Sequence, residues 1–85
     1  MITFEYKIKD EIGLHARPAG LLSKTAKEWN SKVLVKKDGK EVDATKLMAL
    51  MSLCIKNGDV IDVSVLGDDE EEAAAAVKDF FEKNL

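Results

Sequence analysis

Apolar and polar positions alternate from the second residue onward: Ile2, Phe4, Tyr6 and Ile8 are separated by Thr3, Glu5, Lys7 and Lys9. That period of two predicts a strand with one buried face. The pattern breaks over residues 10–14. Pro18 then stands where a helix can use its fixed φ and loses nothing by its missing N–H, so a helix is predicted to begin around Ala16 and end near Asn30. Ala19, Leu22, Ala26 and Trp29, spaced by three and four, form its inward stripe, with Lys24, Lys27 and Glu28 mostly outside.

Val33, Leu34 and Val35 mark a second strand over Lys32–Lys37, and Asp38-Gly39 is a hairpin turn leading into a short third strand, Lys40–Asp43. Helical spacing returns over residues 45–53, where Leu47, Leu50, Met51 and Cys54 share a face and Met48 adjoins it, before Asn57-Gly58 stops the helix. Ile61, Val63 and Val65 alternate with Asp62 and Ser64 in a fourth strand that ends at Gly67. Asp69 caps a last helix, Glu72 completes an approximate capping box, and Ala73, Val77 and Phe80 supply its core stripe. The order is β-α-β-β-α-β-α. A right-handed crossover makes the first two strands parallel, and a strand inserted between them gives an open-faced α/β sandwich: a four-stranded antiparallel sheet with three helices on one face.

With 85 residues, 46% hydrophobic and 34% charged, the chain fits one compact soluble domain over residues 1–85 and excludes a two-domain enzyme with a large cleft. No apolar run reaches about 18 residues and no signal-peptide pattern opens the chain, so a cytoplasmic location is expected. One cysteine and one histidine exclude an internal disulfide and a structural zinc site, and no cofactor is expected. The net charge of −3 gives no general reason to bind nucleic acid or an anionic membrane. Its distribution is uneven: residues 1–47 carry +3 and residues 48–85 carry −6, so the front half can face an acidic partner.

The lone histidine, His15, lies at a loop-to-helix junction within Gly13-Leu14-His15-Ala16-Arg17-Pro18-Ala19-Gly20. A side chain there sits beside unpaired backbone N–H groups and the positive end of a helix dipole, which favour an anion such as phosphate. A neutral imidazole is nucleophilic near pH 7, and Arg17 can donate charge-assisted hydrogen bonds to phosphoryl oxygens. Local physics alone favours the plainer reading, with His15 an ordinary helix cap and Arg17 a solvated first-turn residue. The dipole, worth about 0.3–1 kcal/mol when exposed, tunes a phosphohistidine but does not create one.

The segment from Gly13 to Ala19 closely resembles the active-site motif of HPr, the histidine-containing phosphocarrier family of the bacterial phosphoenolpyruvate:sugar phosphotransferase system. The likeness continues in register through Asp38-Gly39-Lys40, Lys46-Leu47-Met48-Ala49-Leu50-Met51-Ser52-Leu53 and Gly67-Asp68-Asp69-Glu70. It implies an HPr-like open-faced sandwich and a carrier cycle rather than a free-standing enzyme. In that cycle enzyme I moves phosphate from phosphoenolpyruvate to Nδ1 of the motif histidine, here His15, and a sugar-specific enzyme IIA domain removes it. Arg17 becomes the phosphate-interacting neighbour, and Pro18 fixes where the helix starts. The resemblance also implies docking of enzyme I and other partners through Gly20 and the second-helix residues Leu47, Met48 and Met51. From spacing alone, Leu47 and Met51 divide evenly between core and interface, and Met48 leans to the interface. Lys24 and Lys27 can steer acidic partners, although solvated lysines are the plainer reading. Such contacts are expected to be small and transient, and the carrier to be a monomer.

Two positions depart from the family pattern. Lys46 stands where many Gram-positive relatives carry a serine phosphorylated by HPr kinase, which puts that regulatory switch in doubt; Thr45 and Ser52 do not occupy the matching position. Cys54 stands where relatives often have Gly, and its simpler reading is a small buried hydrophobe, with a redox influence on the nearby active loop as the alternative. The acidic run over residues 68–72 reads as cap and dipole-compatible charge rather than a cation site. The alternative to a carrier is a regulatory HPr paralogue acting on a kinase or transcription regulator; a purely structural module would leave His15 and Arg17 incidental.

Overall fold

The computed structural model describes every residue from Met1 to Leu85. Its strands are β1 (Ile2–Lys7), β2 (Lys32–Lys37), β3 (Lys40–Asp43) and β4 (Val60–Leu66); its helices are α1 (Ala16–Lys27), α2 (Leu47–Ser52) and α3 (Glu70–Asn84). The strands form one sheet in the order β1-β4-β2-β3, with every neighbouring pair antiparallel. Because β4 inserts between β1 and β2, those two run parallel, and the three helices pack against the sheet as an open-faced sandwich. No helix is long and apolar enough to cross a membrane.

The central strand carries the alternation to its limit. Val65 lies between Ile2 and Val33 and Val63 between Phe4 and Val35, and these four valines are completely buried. β-Branched side chains are stiff at χ1 and pack well on a pleated surface, which suits this row. Ala19, Leu22 and Ala26 of α1, Leu50 of α2, and Ala73, Val77 and Phe81 of α3 close the core from the other side. Phe81 is its aromatic centre: the Tyr6 ring stacks on it at 5.3 Å between centroids, Phe4 meets it edge-on at 6.3 Å, and the Tyr6 hydroxyl donates to the Phe81 carbonyl at 3.0 Å. The β2–β3 hairpin turns through Asp38 and Gly39, both at positive φ (50° and 83°), as a two-residue turn between twisted strands requires.

Four expectations need correction. The first helix stops at Lys27, so Trp29 leaves the stripe and is only half-buried beside the core. In α3 the stripe runs 73, 77, 81: Phe81 is buried and Phe80 is half-buried against its edge, because a spacing of four keeps the helix face on the sheet. Asp69 stands at the N-cap position but caps nothing in its own helix, and Glu72 completes no capping box. The Asp69 carboxylate instead accepts from the Ser31 hydroxyl (2.5 Å) and the Asn30 N–H (3.0 Å), while Glu70 Oε1 accepts from the Gly67 N–H at 3.4 Å. Cys54 is exposed rather than buried. The chain leaves α2 through a left-handed residue, Cys54 at φ 52°, so Leu53 and Ile55 on either side turn inward and Cys54 turns out.

Asp69 thus ties the turn before β2 to the turn before α3, and the Ser31 hydroxyl, followed by the Asn30 N–H, holds its carboxyl below the usual carboxylate range. A carboxyl with a lowered folded-state pKa stabilises the fold above its unfolded value of about 4, and that contribution is lost as the pH falls through the folded pKa. Asp69→Asn is expected to lower Tm at pH 7 and to flatten the loss of stability between about pH 5 and pH 2 relative to the parent; superimposable pH profiles in thermal denaturation would refute this role.

Candidate functional site

The loop that follows β1 is held along most of its length by backbone. Ile8 exchanges hydrogen bonds with the turn before β4, donating to the Asp59 carbonyl (2.9 Å) and accepting from the Gly58 N–H (2.8 Å). Lys9 and Asp10 donate to the Leu85 oxygen at 2.6 and 2.8 Å, and the Asn57 side-chain amide donates to the Lys9 carbonyl at 3.1 Å. Gly13 then donates to Asp10, and Leu14 donates to the Ile55 carbonyl at 3.0 Å. At Gly13 the loop meets residues 55 and 56 with no space between: a Cβ there would lie 2.5 Å from the Ile55 oxygen and 2.7 Å from the Lys56 Cα, and φ is +80°. Only glycine satisfies both the conformation and the approach.

This seat delivers His15 to the N-cap position of α1 in extended backbone (φ −113°), with no side-chain capping bond. Its carbonyl accepts the first helical bond, from the Ala19 N–H at 2.9 Å, which leaves its half-buried ring unengaged in capping. The N–H groups of Ala16 and Arg17 precede that bond and have no intrahelical partner, and Pro18 has none to satisfy. No acidic residue stands in the first turn to neutralise the positive helix end. His15, Arg17, Pro18 and Leu21 line an open depression of about 310 Å³ together with Asp10 and Asn84. The depression offers an anion arriving from solvent a ring nitrogen, a guanidinium and backbone N–H groups, with the Asp10 carboxylate as the one opposing charge.

Asp10 and Asn84 carried no local signal in the sequence. Asp10 belongs to a stretch marked only by its broken alternation. Asn84 arrives from the far end of the chain when α3 closes over β1. Leu21 and Ile12 are likewise exposed apolar residues beside the loop, off every core stripe.

The remaining candidates lie apart from the depression. Gly20 is on α1 with open space where a Cβ would stand. Lys24 and Lys27 are exposed in the last turn of α1, roughly 10 Å or more along the helix from Arg17 at 1.5 Å per residue. Leu47, Met48 and Met51 are all exposed on α2, at 38, 77 and 37%, whereas Leu50 and Leu53 take the core positions. None of the three is a core residue. Lys46 is the N-cap residue of α2 and makes no capping bond. The acidic run lines a separate open hollow, and two of its members are spent on Ser31, Asn30 and Gly67.

Residues 2–83 match the PTS-HPr family, described as the PTS HPr component phosphorylation site. The chain is 41% identical over 83 residues to the HPr-like protein Crh of Halalkalibacterium halodurans, covering 98% of this chain and 99% of that one. It is 44% identical over 85 residues to the phosphocarrier protein HPr of Mycoplasma genitalium, covering 99% and 97%. A solved HPr from Thermoanaerobacter tengcongensis superposes with a TM-score of 0.93 at 44% identity, covering 98% and 93%; an HPr dimer from the same organism has also been solved.

The seat of the loop is open to test. Gly13→Ala is expected to cost about 1–3 kcal/mol, from a strained φ and a backbone collision together, and to shift the His15 and Leu14 resonances in NMR spectra. Unchanged stability with unchanged resonances would mean that the loop does not rest on Ile55 as described.

Proposed function

The chain belongs to the HPr family of the phosphotransferase system, and from that premise we propose that it carries phosphate on His15, receiving it from enzyme I, with phosphoenolpyruvate as ultimate donor, and giving it to an enzyme IIA domain. The observation that supports this reading most is the ring of His15 standing, free of any capping bond, at the N-terminus of α1, whose first turn holds no acidic residue, within reach of solvent. Transfer is an in-line displacement. The Nδ1 lone pair of neutral His15 forms the new N–P bond as the donor's bond to phosphorus breaks, the donor keeping that electron pair. The Arg17 guanidinium and the N–H groups at the start of α1 balance the charge on the equatorial oxygens. The partner supplies the rest of the site and excludes water, so a small domain with a shallow depression suffices.

The exposed trio Leu47, Met48 and Met51 gives a partner an apolar surface, with Lys24 and Lys27 attracting acidic groups from further along α1. Everything the acceptor loop needs lies within one chain, which supports a monomer as the working form. The exposed thiol of Cys54 suits a reducing cytoplasm. The likeness to Crh keeps a regulatory paralogue as the second reading; with Lys46 at the serine position and His15 intact, its signal would be written on histidine.

Incubation with phosphoenolpyruvate, magnesium and catalytic enzyme I is expected to add one phosphoryl group, lost in acid and stable in base. His15→Ala removes it, and Arg17→Ala slows transfer by roughly tenfold or more while the domain stays folded. Labelling of the His15→Ala variant would place the acceptor elsewhere; no labelling of the parent would leave a structural module. Met48→Asp is expected to raise the KM of enzyme I for the carrier by roughly tenfold without altering the circular dichroism. Addition of membrane components separates the two readings: a carrier drives sugar phosphorylation and a regulator does not.

A further inference from the structure

The segment on which the active loop rests is itself clamped from below by one lysine. Lys37 ends β2, and its side chain, only 15% exposed, reaches under the turn between α2 and β4. Its ammonium donates to the Cys54 carbonyl at 2.8 Å and pairs with the Asp59 carboxylate at 2.9 Å. The same Asp59 Oδ2 accepts from the Lys56 N–H at 2.8 Å, and the Asp59 N–H donates to the Lys56 carbonyl at 3.0 Å. One cation therefore fixes residue 54 directly and residues 56 and 59 through a carboxylate. Ile55, between them, offers the carbonyl that receives the Leu14 N–H and lies against Gly13.

Two further features make this segment dependent on such a clamp. Cys54 holds a left-handed φ without being glycine, a conformation that persists only where its surroundings impose it. The β2–β3 hairpin supplies lysines to the end of α2 and the turn beyond it, Lys37 at the Cys54 oxygen and Lys40 at the Ser52 hydroxyl (3.2 Å), where the helix dipole favours cations. The hydrogen bond between Lys37 and Asp59 raises the pKa of the one and lowers that of the other, so the pair is ionised across the neutral range.

We propose that Lys37 is a positioning residue for phosphoryl transfer: by holding the Cys54 carbonyl and Asp59 it sets the height of the Ile55 oxygen, and through Leu14 the placement of the His15 ring. The proposal rests on His15 being the acceptor. Lys37 touches neither the ring nor the depression, and it acts through the chain Lys37, residues 54–56, Gly13-Leu14, His15. Its effect therefore falls on the rate of the chemical step and leaves the docking surface on α2 in place.

The test uses the full chain and three variants, Lys37→Met, Asp59→Asn and Lys37→Arg. In Lys37→Met the Leu14 amide is expected to exchange with solvent roughly tenfold faster than in the parent, because its acceptor is no longer fixed. The kcat for phosphorylation by enzyme I is expected to fall roughly tenfold with KM unchanged, the signature of a misplaced acceptor rather than lost docking. Asp59→Asn shifts both readouts in the same direction, and Lys37→Arg, which keeps the charge and the reach, restores them. A Lys37→Met protein that is folded by circular dichroism and retains parental Leu14 exchange and parental kcat overturns the proposal, as does a loss that appears in KM alone. Absence of labelling in the parent refutes the carrier reading instead, and in that event the Leu14 exchange of the variants still decides whether the clamp exists.

Discussion

The loop after β1 lies directly on the backbone of residues 55 and 56, with no side chain between them, and the placement of His15 follows from that contact. Two polar backbone segments can approach this closely only where one lacks a Cβ and where the donors and acceptors match. Gly13 meets the first condition and the Leu14 N–H with the Ile55 carbonyl meets the second. From there the chain has two residues in which to become a helix. It does so with Pro18 in the first turn and a histidine at the N-cap, so the ring is delivered to the positive helix end with no capping duty.

What keeps the contact in place is spread through the fold. Ile8, one residue past β1, is buried and bonded to the turn before β4. The Leu85 oxygen takes the Lys9 and Asp10 N–H groups, and Leu85 and Phe81 are buried beneath, so α3 braces the loop from the other side. The sheet core of valines and isoleucines is what makes these anchors rigid, since close-packed side chains transmit displacement instead of absorbing it. A histidine at a loop-to-helix junction is thus positioned by the buried core of a small domain.

The strands were legible because one face is buried and the other is wet: Ile61, Val63 and Val65 read directly as an inward row, and Asp38-Gly39 marked the hairpin by its need for positive φ. The crossover rule made β1 and β2 parallel with a strand between them; the pairing of the folded sheet identifies that strand as β4. Helix phase was harder to read. Phe80 and Phe81 are adjacent, and choosing between them depends on where the sheet lies rather than on spacing within the helix. Cys54 turns outward because its backbone takes a left-handed turn (φ 52°), which the type of side chain does not reveal. Asp69 lost its capping role to Ser31 and Asn30, a partnership made across 38 and 39 positions of chain. In the site, the motif exposed His15 and Arg17, whereas Asp10 and Asn84 are brought together by closure of α3 over β1, which no local pattern encodes.

For function, the same economy holds. The proposed carrier would offer its acceptor to unlike partners, a task that an open depression with few walls and an apolar surface held apart on α2 would serve. On the proposed reading, the backbone N–H groups at the start of α1 would add preorganised stabilisation at the moment of transfer. The most direct test is a long-range proton–nitrogen and phosphorus NMR measurement on the imidazole after incubation with phosphoenolpyruvate and enzyme I. The account predicts phosphorus coupled to the Nδ1 nitrogen of His15; phosphorus bound at any other atom, with the His15 ring unaltered, would contradict it.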